Sequence, residues 1–220
     1  MNTWVVIPAY NEERHLERTL NDVRNQSDRY HVVVVDDGST DRTYDIARSH
    51  ARAIRHPVNR GMGAALVTGT RYALLQGADC IVHFDADGQH HASEIRRFID
   101  KIETGEYDVV LGSRYLDSHS TPFTKKYFIH WPARVFQNAM TGVRLTDVHN
   151  GFRAMSRSAA EKIRIEQDRM AHNSEIVAQL RARRLRFCEV PVTITYAEYG
   201  QSLVDGIKII RDLIVKQLLK

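Results

Sequence analysis

The chain has two cysteines and five prolines in 220 residues, and no apolar run near the roughly 18 residues that a bilayer-spanning helix requires. Each shortage excludes something. Two cysteines cannot form the disulfide framework of a small secreted scaffold. Cys80 and Cys188 both lie within apolar runs, where buried reduced thiols are expected. No stretch rich in Pro, Gly or Ser divides the chain, which predicts one domain over residues 1–220. Met1 to Val6 lacks a basic region leading into an apolar stretch, so a secretory signal is not expected and the reading is cytoplasmic. No repeat of solenoid period occurs. The basic residues form neither a recognition helix nor a stacking platform, so no nucleic-acid partner is predicted.

What is present is an ordinary globular composition with uneven charge. Hydrophobic residues at 43% and charged residues at 26% suffice for a packed core. The net charge of +4 conceals an asymmetry: residues 1–110 carry 13 basic and 17 acidic side chains, whereas residues 111–220 carry 18 and 10. The first half is built around carboxylates and the second around groups that attract anions.

Short apolar runs alternate with helical patterns. Trp4 to Ile7, His31 to Val35, Ala53 to His56, Cys80 to Phe84 and Asp108 to Leu111 read as strands. Glu12–Asn25, a segment from Asp41 capped by Thr40 or Asp41, Gly61–Leu75 and Ser93–Ile102 read as helices between them. The strands are continuous β-branched runs rather than alternating ones, the pattern of a parallel sheet covered on both faces. Strand and helix in succession give right-handed crossovers and a doubly wound α/β sheet. Ligands of such sheets bind beyond the carboxyl ends of the strands, and three polar clusters fall there: Pro8 to Glu12, Asp36-Asp37-Gly38 and Asp85-Ala86-Asp87. The second half is less regular, with a basic aromatic stretch (residues 123–140), a strand over Arg186–Tyr196 and an amphipathic helix at about 203–219.

Asp85 and Asp87 stand two residues apart at a strand end, where a turn brings two carboxylates toward one ion. A hard cation such as Mg2+ or Mn2+ takes oxygen ligands and keeps positions open for phosphates, and the Gln89 amide is a further oxygen. A solvated turn is the plain alternative. The aspartyl-phosphate phosphatases also begin with an apolar strand and Asp-x-Asp-Gly, but on their first strand and with Thr or Val next; here Gln89 follows, on about the fourth strand.

These segments together resemble the family 2 glycosyltransferases of the GT-A fold, and most closely their dolichol-phosphate mannosyltransferase-like branch. Pro8-Ala9-Tyr10-Asn11-Glu12 is similar to that family's opening motif and Asp36 to Asp41 to its second. Asn59 to Ala65 is similar to its glycine-rich helix start, Asp85 to His90 to its metal motif, and Gly112-Ser113-Arg114 to the stretch after the next strand. Asp147 to Arg153 is similar to its acidic-Gly-Phe-Arg segment, and the matches run in order over roughly residues 4–202. Gly200 and Ser202 of the branch's ending are present, with Ala197 and Leu203 where the branch carries cations.

The resemblance implies a Rossmann-like, mostly parallel central sheet with helices on both faces. Its donor and metal half would span about 1–115 and its acceptor half about 116–202. It implies an inverting, metal-dependent transfer from a nucleoside-diphosphate sugar to an acceptor, a polyprenyl phosphate first of all. Pro8, Tyr10, Glu12, Val35, Asp37, Asp85 and Ala86 would hold the donor nucleotide, and Asp85, Asp87 and Gln89 the Mg2+ or Mn2+. Asp87, Arg114, Asp147 and Glu175 would be catalytic, with Arg114, Arg153 and Ser202 toward the acceptor phosphate. Gly61 and Gly63 serve either close packing or ligand contact. A phosphate acceptor is already nucleophilic, whereas a sugar or lipid hydroxyl would need a base, for which Asp147, His149, His172 and Glu175 are the candidates. Transfer to a hydroxyl in surface-polysaccharide synthesis and a non-catalytic nucleotide-sugar-binding module are the two other readings. The terminal helix and the 123–136 stretch suit contact with a membrane surface or a separate membrane partner, and a homo-oligomer is compatible with both.

Overall fold

The computed structural model describes residues 1–116, 143, 145–148, 150–169 and 172–195. The basic aromatic stretch over 123–140, His149, Ser202 and the terminal helix expected at 203–219 lie outside the described residues.

Seven strands form one sheet: β1 (Thr3–Ala9), β2 (Tyr30–Asp36), β3 (Arg52–Arg55), β4 (Cys80–His83), β5 (Val109–Ser113), β6 (Arg153–Ser156) and β7 (Phe187–Pro191). The helices are α1 (Leu16–Arg24), α2 (Thr43–His50), α3 (Met62–Leu75), α4 (Ile95–Glu103), α5 (Arg157–Lys162) and α6 (His172–Ala182). The strand order is β3-β2-β1-β4-β6-β5-β7, and β6 alone runs antiparallel, to both β4 and β5. The expected mostly parallel α/β sheet is therefore present. The chain steps outward from β1 through β2 to β3, then returns to β4 on the other side of β1. That reversal opens a crevice at the carboxyl ends of β1 and β4.

The β-branched runs are buried on both faces because each face has its own core. Val5, Ile7 and Ala9 of β1 point into one, with Leu16, Leu20 and Val23 of α1 and Ile95, Phe98, Ile99 and Ile102 of α4. Trp4 and Val6 point into the other, with Leu66 and Ala73 of α3 and Ile176, Val177 and Leu180 of α6. The i, i+3, i+4, i+7 spacing of the four α4 side chains puts all of them against the sheet, at roughly 1.5–3 kcal/mol for each one withdrawn from water.

Four local expectations are corrected. α1 starts at Leu16 rather than Glu12, because Asn11 takes a left-handed φ of 56° and the Glu12 amide is bound by the Thr43 hydroxyl. α2 starts at Thr43, two residues after Asp41, whose carboxylate accepts the Thr43 amide at 2.9 Å. β7 ends at Pro191 instead of Tyr196. The chain there leaves the sheet to strap the end of β4: the Thr193 amide reaches the Glu94 carboxylate, the Thr195 amide reaches the Gln89 carbonyl, and Ile194 bridges His90. Cys80 is buried and free as expected, but Cys188, on the outermost strand, is only half-buried.

Candidate functional site

A cleft of about 350 Å3 opens at the crevice between β1 and β4. Pro8, Tyr10, Glu12, Asp37, Asp85, Ala86, Asp87, Gln89 and Arg114 all line it, so nine of the expected residues from four strand ends meet in space.

Asp37 is buried, and its carboxylate is saturated by the protein. It accepts the amides of Arg60 (3.1 Å) and Gly61 (2.6 Å) and pairs with His56 Nδ1 at 2.7 Å. Its own amide donates to the Ala9 carbonyl, which ties the ends of β1 and β2 together. Glu12 lines the same cleft, hydrogen-bonded to His15 at 3.0 Å. Burial pushes the Glu12 carboxyl above the usual carboxylate range; the His15 hydrogen bond opposes that and the Asp87 charge adds to it.

The turn after β4 is held from several sides. The Thr19 hydroxyl of α1 donates to the Ala86 carbonyl at 3.1 Å, and the Gln89 amide donates to Asp87 at 3.0 Å. Gly151 lies so close that a Cβ there would stand 2.7 Å from an Asp85 oxygen, so any side chain would displace the carboxylate. Burial would raise Asp85, but its contact with His90 (3.3 Å) and the charge of Arg153 hold it below the usual range. Asp87 goes the other way: burial and the Asp85 charge together raise it. Asp87 thus lacks the counter-charge that Asp85 has, and the two carboxylates side by side could take a divalent cation. Among the described residues no three His, Cys, Asp or Glu side chains close around a common point. Asp85, Asp87 and the Gln89 amide offer an incomplete, all-oxygen donor set, the kind that leaves room for phosphate oxygens on Mg2+ or Mn2+.

Arg114 reaches the cleft from the end of β5 through a bidentate pair with Asp147, at 2.6 and 2.8 Å. The Thr146 and Asp147 amides in turn donate to the Glu189 carboxylate on β7. Asp147 is therefore engaged through both oxygens with a cation, which is not the arrangement of a free base. Three other expected residues lie off the cleft wall. Val35 is buried inside β2. Glu175 accepts the amides of Glu166 and Gln167, both at 2.9 Å. Arg153, expected on an acceptor phosphate, is 1% exposed and donates to the carbonyls of Gly151 (3.1 Å) and Asn150 (3.2 Å) and to the Asn173 side chain. Burial lowers it to about 10, with Asp85 opposing. It stands beneath the cleft as a counter-charge to Asp85.

His172 is fully buried, lowered to about 4 by burial and the Arg153 charge. Gly61 and Gly63 pack against the backbone of Gln167 and Asp168, the packing alternative of the two. Sequence reasoning missed His56, Asn173 and Glu189. A glutamate inside the apolar run Phe187–Val190 was the available signal for the last. Asn150 lines the cleft, and its side-chain nitrogen has no partner among the described residues.

Comparison with known proteins gives this geometry its family. The model of glycosyl transferase family 2 matches residues 4–164. A UDP-N-acetylglucosamine–dolichyl-phosphate N-acetylglucosaminyltransferase of Methanococcus voltae is 31% identical, over 98% of this chain and 96% of that protein. An undecaprenyl-phosphate mannosyltransferase of Micrococcus luteus is also 31% identical, over 94% of this chain and 88% of that one. Among solved structures, glucosyl-3-phosphoglycerate synthase from Mycobacterium tuberculosis, in complex with Mn2+, UDP and phosphoglyceric acid, shares the fold with a TM-score of 0.76 at 19% identity, over 99% of this chain and 77% of that one. The sheet, the cleft and the order of motifs agree with these matches, and the chain belongs to glycosyl transferase family 2, as a glycosyltransferase of the GT-A fold.

Proposed function

We propose that the enzyme transfers a sugar from a nucleoside diphosphate to a polyprenyl phosphate by a single inverting displacement. The observation that carries this reading is the meeting of Asp85, Asp87 and Arg114 in one cleft with Tyr10, Glu12 and Asp37. An oxygen of the acceptor phosphate attacks the anomeric carbon, the bond from that carbon to the diphosphate breaks, and the nucleoside diphosphate leaves. A bound Mg2+ or Mn2+, held by Asp85, Asp87 and Gln89, would offset the charge that develops on the leaving diphosphate. Pro8 and Tyr10 pack the nucleotide and Glu12 accepts from its donor groups. Asp37 supports that pocket from beneath through the Arg60–Gly61 turn.

Three features favour a phosphate acceptor over a hydroxyl. Asp147 has both oxygens on Arg114, Glu175 lies off the cleft wall with one oxygen on two backbone amides, and an anionic nucleophile needs no base. The second half of the sequence is basic. Relatives from an archaeon and a bacterium carry names that specify polyprenyl-phosphate acceptors. No described helix is long and apolar enough to cross a membrane, so we place the encounter with a lipid-linked acceptor at the membrane surface. The test is transfer of labelled sugar from UDP-N-acetylglucosamine, UDP-glucose or GDP-mannose to undecaprenyl phosphate with Mn2+. Transfer that stops with a chelator and with Asp87→Ala supports the reading. Transfer to a prenyl alcohol but not to the phosphate would overturn the acceptor assignment.

A further inference from the structure

We propose that Glu175 is a positioning residue for the nucleotide end of the cleft, acting through the 166–168 segment on the turn that holds Asp37. The inference rests on the reading of the cleft as the donor site. Glu175 sits in the first turn of α6, outside the cleft wall, and one carboxylate oxygen accepts two amides, those of Glu166 and Gln167. The next residue, Asp168, turns its carbonyl to the start of α3 and accepts the Gly63 amide at 2.8 Å. A backbone carbonyl thus satisfies a donor that a helix start otherwise leaves unpaired.

The fit has no slack. A Cβ on Gly63 would stand 2.0 Å from the Gln167 carbonyl oxygen, and one on Gly61 would stand 2.3 Å from that of Asp168. The same turn points the Arg60 and Gly61 amides at Asp37, while Asn59 and Met62 line the cleft on either side of them. A shift of the 166–168 segment therefore moves Asn59, Met62 and Asp37 together. The task at Glu175 calls for an acceptor oxygen and not for a basic group, and the carbonyl oxygen of a glutamine side chain accepts the same two amides.

That difference is the experiment. Steady-state transfer to undecaprenyl phosphate is measured with UDP-N-acetylglucosamine, UDP-glucose and GDP-mannose for the wild type, Glu175→Ala, Glu175→Gln and Gly63→Ala. Glu175→Ala should raise the donor KM about tenfold, the scale of one lost charge-assisted hydrogen bond, with kcat within about threefold. Glu175→Gln should keep both constants within about threefold of wild type with an unchanged pH profile. Gly63→Ala, which forces a methyl group against Gln167, should raise the donor KM as Glu175→Ala does; should Glu175→Ala fail to fold, these two variants carry the decision. Loss of kcat and of one limb of the pH profile in Glu175→Gln would overturn the proposal in favour of proton transfer. Unchanged donor KM in Glu175→Ala or Gly63→Ala would break the relay while leaving the donor reading intact. A wild type that turns over none of the three donors overturns the donor reading and this proposal with it.

Discussion

The end of β2 and the end of β4 both carry acidic residues into the same cleft, yet the protein treats them differently. Asp37 has its oxygens filled by two amides and an imidazole, so the fold itself satisfies the carboxylate. Asp85 and Asp87 are not satisfied in this way. One is held low by His90 and Arg153, and the other is raised by burial and by its neighbour's charge. The lesson is that an acidic cluster at a strand end is not one kind of site. A saturated carboxylate builds the pocket; a crowded pair with one member undersupplied keeps oxygens to offer a cation.

The largest effect should come from the crowded pair. Asp87→Ala should cut transfer by about a thousandfold or more, since it removes support for the leaving diphosphate, and should abolish Mn2+-dependent donor binding in calorimetry. The counter-charge beneath that pair comes next. Arg153→Met removes one of the positive groups on Asp85 and the donor to the Gly151 and Asn150 carbonyls, and should destabilise the protein by about 3–5 kcal/mol in urea unfolding. At the saturated site the effect should fall on stability first: Asp37→Ala orphans the Arg60 and Gly61 amides and should cost about 2–4 kcal/mol in the same measurement. Equal stability losses for Asp37→Ala and Asp87→Ala in the metal-free protein would erase the distinction.

The smallest effect has the opposite sign. The Asp87 carboxyl is raised in the folded state, so the fold favours its neutral form and stability falls as pH rises through that raised range. Asp87→Asn removes this cost and should raise the melting temperature of metal-free protein at neutral pH by about 2–4 °C, the shift of ~1 kcal/mol in a domain of this size. The gain should vanish in acid, where both side chains are uncharged. A lower melting temperature at neutral pH would mean that Asp87 is satisfied by the protein after all.

Much of this was legible because valine runs, prolines and acidic strand ends are local signals. Val32 to Val35 can be little other than a strand buried on both faces, and the turn chemistry beyond it places Asp37 at the sheet edge. The start of α1 is not legible locally because Asn11 and Thr43, 32 residues apart, decide it together. The strand β6 gave no signal: Arg-Ala-Met-Ser has no β-branched residue and no alternation, and it becomes a strand because β4 and β5 leave a slot between them. The burial of Arg153 is equally illegible, since a cation in a basic half of the chain carries no mark of being buried.

Residue order alone determined the layered α/β architecture, the ends of the strands where chemistry collects, and the pair Asp85 and Asp87. Only the folded arrangement decided which polar groups are already matched. Hydrogen-bond saturation depends on partners far apart in sequence: Arg114 with Asp147, Glu175 with the amides before Asp168, Arg153 beneath Asp85. A side chain's chemistry is written in its type, but its spare capacity is what its neighbours leave over.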